Sequence, residues 1–209
     1  RSNQRIRKHR LGNFKKFVED MTLDGAYLLY QSLNLSSGKN PNENYARELM
    51  ELFTMGIGNY SEGDIQEAAK VLTGWRVSAH RQDPKPFEFF DTYFSAKDHD
   101  LDSKQIMGET IAARPDEDNT MDKVREEEVK GLIDILFRRR PDAIAEFICT
   151  KLYNHFVYSS PSKNDQLFIK ELADENSSFA LDYKIQLVGE IANEVKESIR
   201  NYNLKGVED

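Results

Sequence analysis

The densest run of chemically able side chains is Asn42-Glu43-Asn44-Tyr45-Ala46-Arg47-Glu48-Leu49-Met50-Glu51-Leu52-Phe53-Thr54. On a helix, Asn44, Arg47, Glu48 and Glu51 lie three or four residues apart and share the face opposite Ala46, Leu49 and Phe53. Two carboxylates, a guanidinium and an amide on one face can hold a cation, position a water or clamp a polar substrate. The same spacing serves a salt-bridge network, open to solvent or between helices. A second constellation, His99-Asp100, stands in a polar, irregular stretch. A histidine beside carboxylates is a candidate base or metal ligand, and a solvent-exposed loop histidine is the plain alternative. The expectation to be tested is a common polar cleft. It takes His99, Asp100, Glu48 and Glu51 as catalytic candidates and Asn44 and Arg47 as ligand-binding ones. Trp75 follows Thr73-Gly74 at a helix end. There an indole either plugs the joint with its N–H bonded to the protein or offers a stacking platform for a sugar or other flat ligand.

Other chemistry has little support in the residues. Asp98 to Glu109 has a calcium-loop look, with carboxylates at loop positions one, three, five and twelve. However, Ser103 occupies the position that needs glycine, and Gln105 stands where an apolar residue is expected. His9, His80 and His155 lack partners at ligand spacing. The single cysteine, Cys149, sits in the apolar run Phe147-Ile148-Cys149 and reads as a buried thiol, so no intrachain disulfide is available. There is no glycine-rich phosphate loop, nucleophile elbow or His-Glu-x-x-His motif. No metal set is assigned, and the cofactor is left open.

These groups need elements to hold them. Apolar residues at helical spacing predict helices through Phe14, Phe17, Val18 and Met21; through Ala26, Leu29, Tyr30 and Leu33; and through Ala46, Leu49, Met50 and Phe53. Ser36-Ser37-Gly38-Lys39-Asn40-Pro41 reads as a loop. Asn42 or Asn44 caps the helix after it, and Gly56 and Gly58 end that helix. Ser61 and Asp64 predict a capping box before the stripe Ile65, Ala68, Ala69, Leu72. Alternation at Phe87 and Phe89 predicts a β-hairpin over about residues 76–94. About 109–125 reads as a mobile acidic loop. Helices resume through Val129, Leu132, Ile133, Leu136, then from Pro141 through Ile144, Phe147, Ile148 and Leu152. Leu167, Phe168 and Leu172 mark another helix, and Val188, Ile191, Val195 and Ile199 a last one. The predicted fold class is all-α: one multi-helix domain over 1–209 with a small β-hairpin insertion.

The chain has 209 residues, 39% hydrophobic and 31% charged, with a net charge of −7. An acid excess argues against general nucleic-acid binding, which needs a basic face. Arg1, Arg5, Arg7, Lys8 and Arg10 run against that balance, either as a solvated helix face or as a surface for an acidic partner. No apolar run approaches the ~20 residues of a membrane span.

The stretch from Pro41 to Tyr60 resembles the hallmark of a bacterial family, the domain-of-unknown-function 1800 family. The likeness continues through Asp64, Ala68-Ala69 and Leu72-Thr73-Gly74-Trp75. It takes in His99-Asp100, Lys104 and Gly108, a His-Asp, Lys, Gly order shared with family members. It returns at Ile133-Asp134-Ile135-Leu136 and Ala145 to Tyr153, ends at Phe156-Val157, and includes Gly12-Asn13-Phe14 upstream. It covers about residues 1–172. Members usually extend further at both ends, so a fragment of a longer protein is expected, and the loop between Gly108 and Val129 is longer and more acidic than the family pattern. The resemblance implies a mostly helical protein. Its genes often neighbour those of another family, numbered 1501, which looks exported and resembles sulfatases and phosphatases. That implies a cell-envelope or extracellular setting and a protein partner of the 1501 type.

Two functions follow as expectations. One is an accessory or binding protein acting with such a partner. The other is a hydrolase-like enzyme with its cleft between the Asn44–Glu51 helix and the His99-Asp100 loop. They differ in geometry, since an enzyme needs those groups converging within hydrogen-bond reach.

Overall fold

A computed structural model of the chain describes residues 2–9, 12–81, 88–157 and 160–177. Helices α1 (Ser2–His9), α2 (Phe14–Thr22) and α3 (Gly25–Tyr30) open the chain. Asn13 and Asp24 cap α2 and α3 by accepting backbone N–H groups that lack an intrahelical partner. Arg5 meets Asp24 at 3.4 Å, and His9 meets Asp20 at 2.7 Å. Helix α3 buries Leu28 and leaves Ala26, Leu29 and Tyr30 exposed, the reverse of the predicted stripe. The helix stops at Tyr30 and Ser32 turns left-handed (φ 56°), so Leu33 reaches the core from a separate turn.

Helix α4 (Glu43–Glu48), capped by Asn42, runs directly into a π-helical turn, Leu49–Thr54. Such a turn takes in one extra residue and rotates everything after it. Thr54 therefore bonds Leu49 O at 2.6 Å, and Met55 N bonds Met50 O at 2.9 Å. The buried face becomes Leu49, Met50, Thr54 and Met55. Leu49 is buried as predicted, whereas Phe53 is displaced to a half-buried position against Tyr27. Helix α5 (Glu62–Val71) carries the predicted capping box of Ser61 and Asp64 and buries Ile65, Ala68 and Ala69.

Strands β1 (Trp75–Arg81) and β2 (Glu88–Phe94) pair antiparallel, with Trp75 opposite Phe94. This is the predicted hairpin. A second one, β3 (Lys104–Ile106) with β4 (Glu109–Ile111), was not predicted. It is so short that no alternation could be read, and Met107-Gly108 turns it with both residues at positive φ. The stretch expected as a mobile acidic loop, 109–125, begins with β4 and from Met121 is helical. The described residues are thus mostly helical with two small two-stranded sheets. Helix α6 (Met121–Lys123), a second π-helical turn (Val124–Val129) and α7 (Lys130–Arg139) follow one another without a break. Pro141 starts α8 (Pro141–Phe156), and α9 (Lys163–Ser177) packs on it. The main core gathers Leu49, Met50, Ile65, Leu72, Trp75, Ile106, Leu132 and Leu136. A smaller cluster holds Cys149 and Tyr153 against Ile169 and Ala173. The predicted last helix, from Val188, lies outside the described residues.

Candidate functional site

Helix α5 ends at a joint that Gly74 makes possible. Its φ is +81°, and a Cβ there would meet Phe94 at 2.9 Å and His99 Cβ at 3.1 Å. Only glycine lets the backbone turn this close. Gly38 does the same from the other side. Its N–H bonds Asp98 O at 2.8 Å, and a Cβ on it would lie 3.2 Å from the Asp100 backbone. These contacts bring the 96–104 segment inward, so His99 is buried and not a surface loop residue. Its Nδ1 lies 3.0 Å from Thr73 O and 3.1 Å from Thr73 Oγ1. Thr73 Oγ1 itself donates to Lys70 O and accepts from Asp100 N.

The other face of the ring meets Glu128, whose two oxygens both stand 3.3 Å from His99 Nε2. Lys104 Nζ donates to Glu128 Oε2 at 3.0 Å and to Asp100 O at 2.7 Å. Arg114 donates from Nε to Glu128 Oε1 at 2.6 Å and from Nη2 to Glu127 at 2.8 Å. Three carboxylates (Asp100, Glu127, Glu128) thus meet an ammonium, a guanidinium and an imidazole. The side chains of His99, Lys104 and Glu128 are 0%, 0% and 1% exposed. Burial alone would raise the Glu128 pKa. The hydrogen bonds from His99 and Arg114, with the charges of His99 and Lys104, override it and hold the group down at about 2. Every buried charge here has its counter-charge and its hydrogen bonds, the condition under which burial of ions is tolerated.

The residues singled out on α4 have other partners. Arg47 makes a two-pronged pair with Glu62 at 2.8 and 2.7 Å on a water-facing surface. Glu51 accepts from the Tyr60 hydroxyl at 2.7 Å, and burial first, then this bond, pushes that hydroxyl up to about 12. Asn44 bonds Gln31. Glu48 Oε2 is buried without a hydrogen-bond partner among the described residues. So the structure joins His99 and Asp100 to each other through Thr73 and Lys104, and joins neither to the α4 groups by a hydrogen bond or ion pair. Trp75 is 1% exposed, 5.2 Å from the Phe94 ring, and its Nε1 has no partner among the described residues. The predicted burial holds. The predicted N–H bond does not, because the indole is closed in with no acceptor in reach. Sequence reasoning missed Glu128, Arg114 and Thr73. Glu128 was legible in one respect: it precedes Leu132 and Leu136 at four-residue steps, and so shares their buried face. Among the described residues, no group of three or more His, Cys, Asp or Glu is placed to hold a metal ion, and no helix is long and apolar enough to cross a membrane.

Two of the grooves that border these regions bear on function. One, about 390 Å³, has Arg114, Glu127 and Glu128 in its lining and so touches the buried network. The other, about 510 Å³ and mainly apolar, runs between the π-turn of the motif helix and α8. Leu52 and Ile57 line it and are 46% and 79% exposed.

A mostly helical protein with two hairpins and a buried His–Lys–Arg–Glu network is the class that fold and site define. The model of the family described as "Protein of unknown function (DUF1800)" matches residues 1–187, and the chain belongs to that family. The match runs past Ala173, where the sequence pattern was no longer recognisable. Neither a curated protein nor a solved structure matches the chain.

Proposed function

We propose that this protein is an accessory, partner-binding protein of the cell envelope. The apolar groove beside the motif helix carries this reading. Leu52 in the π-turn and Ile57 just beyond it stand exposed, within the longest family-like stretch, and an apolar cleft open to water is a usual docking feature. The envelope setting and a 1501-type partner rest on the family resemblance. The occupant that fits is a protein segment with apolar side chains, flanked by basic ones to suit the net charge of −7. Immobilised full-length protein is expected to capture the purified 1501-type protein from the same bacterium saturably. Leu52→Asp and Ile57→Asp are expected to abolish capture while the fold is kept. Capture unaffected by both changes would refute the groove.

A second reading, a hydrolase-like enzyme, draws on the groove that reaches Arg114 and Glu128. Against it, His99, Lys104 and Glu128 are closed from solvent and already paired, which leaves no free base. Hydrolysis of a chromogenic ester by the wild type, lost in His99→Gln, would favour the enzyme over the accessory role.

A further inference from the structure

The second hairpin has a free edge. Met107-Gly108 closes it as a two-residue turn, so Ile106 and Glu109 face each other as a hydrogen-bonded pair. Alternation along an antiparallel ladder then turns the Thr110 N–H and C=O away from β3. No strand but β3 pairs with β4 among the described residues. Ala112 and Ala113, next along the chain, make no backbone hydrogen bond among those residues either. Thr110, Ala112 and Ala113 are exposed, and all three line the groove of about 390 Å³ that reaches Arg114. Unpaired backbone groups on an open sheet edge are a template for another strand. At the spacing of paired strands, this groove has room for about three extended residues.

Helix α7 lines the groove with Gly131, Asp134, Ile135 and Arg138. A glycine weakens a helix, and packing within the chain does not call for this one. A Cβ added at Gly131 would meet nothing nearer than Ile111 Cδ1, at 4.0 Å. Its missing side chain widens the groove. The charges favour a basic occupant, since five acidic residues and two arginines line the groove. Three of the acids, Asp118, Glu127 and Asp134, are open to water, and each is bonded through one oxygen only: to Lys123, Arg114 and Lys15 in turn. The second oxygen of each has no bond among the described residues and can accept one from outside.

We infer that this groove takes an extended, basic segment of a protein partner, which adds to the free edge of β4 as a third strand. The segment's backbone bonds Thr110, and its lysine or arginine side chains, on alternate positions, reach the open carboxylates. This surface shares no residue with the apolar groove beside the motif helix, so the inference does not rest on the docking reading above.

The test titrates the full chain with acetyl-Lys-Thr-Lys-Val-Lys-Thr-amide and follows backbone amide shifts and hydrogen exchange by NMR. One control peptide has glutamates in place of the lysines. In the other every backbone nitrogen is methylated, which keeps the charge and blocks strand pairing. The basic peptide is expected to bind saturably and to slow exchange at the Thr110 amide severalfold, and the controls to do neither. Asp118→Asn combined with Glu127→Gln keeps the shapes and removes two exposed charges. It is expected to weaken binding roughly three- to tenfold. Leu52→Asp, which tests the apolar groove, is expected to leave peptide binding unchanged. The strand site is overturned by no saturable binding, by equal binding of either control peptide, by binding without protection at Thr110, or by binding lost in Leu52→Asp. A titration indifferent to the two neutralised carboxylates overturns the basic occupant.

Discussion

The protein holds two dense sets of ionisable groups, each at a helix that passes into a π-turn, and they are built in opposite ways. Around Glu128, the charges of Lys104, Arg114 and Glu128 itself are buried, and each meets more than one partner. On α4 and the π-turn after it, the groups lie nearer the surface and pair singly: Arg47 with Glu62, Glu51 with Tyr60, Glu48 with no ion-pair partner among the described residues. The difference shows that charge density alone says little about role. In the buried set, each ion depends on the others, so the set acts as a clasp between the 99–104 segment and the helix through Glu128. In the surface set each group is nearly independent.

The comparison breaks most easily at Glu128. Glu128→Ala is expected to cost roughly 3–5 kcal/mol, because it strands Lys104, Arg114 and His99 without their counter-charge. Urea unfolding reads this, and an unchanged midpoint would mean that water replaces the carboxylate. The same group predicts an acid response. Its folded pKa, about 2, is depressed below the unfolded value of about 4.5. The stability it contributes, about 3 kcal/mol, is fully present above the unfolded pKa and is lost as pH falls towards 2. Stability of the wild type minus that of Glu128→Gln is therefore expected to shrink between about pH 5 and pH 2. A difference independent of pH would contradict the clasp.

Lys104→Met is expected to cost less, about 1–3 kcal/mol. It removes one donor from Glu128 and one from Asp100 O, while His99 and Arg114 still hold the carboxylate. The smallest effect is expected at Arg47→Ala. Its pair with Glu62 faces water, so the melting temperature should match the wild type within error. A clear drop there would bring the two regions closer together than their burial suggests.

Much of the helical frame was legible. Asn42 and the Ser61–Asp64 box stand where helices begin, because short polar side chains satisfy the free N–H groups of a first turn. The first hairpin and the Pro141 helix start were legible for similar local reasons. The faces were less so. Helical spacing assumed 3.6 residues per turn, and the π-turn at Leu49–Thr54 displaced Phe53 from the face that Leu49 starts. The short α3 exposed Tyr30 in the same way, since its chain turned before the stripe was complete. Of the site, the resemblance pointed at His99-Asp100 and Lys104. Their meeting with Glu128 and Arg114 joins residues 14 to 29 positions apart, beyond any local pattern.

The sequence by itself determined the local matters: where helices start, the dominance of helix over sheet, the acid excess and the family likeness. Each depends on a residue and its near neighbours, or on composition. Which charges are buried was decided only by tertiary structure, because the energy of an ion depends on how much water surrounds it and on which partners fold against it. His99 reads as a loop histidine in the chain and becomes a clasped core residue once Gly38 and Gly74 let two backbones approach. Glu48 reads like its neighbours Arg47 and Glu51, and it differs only because the fold gives them partners and gives none to its buried oxygen.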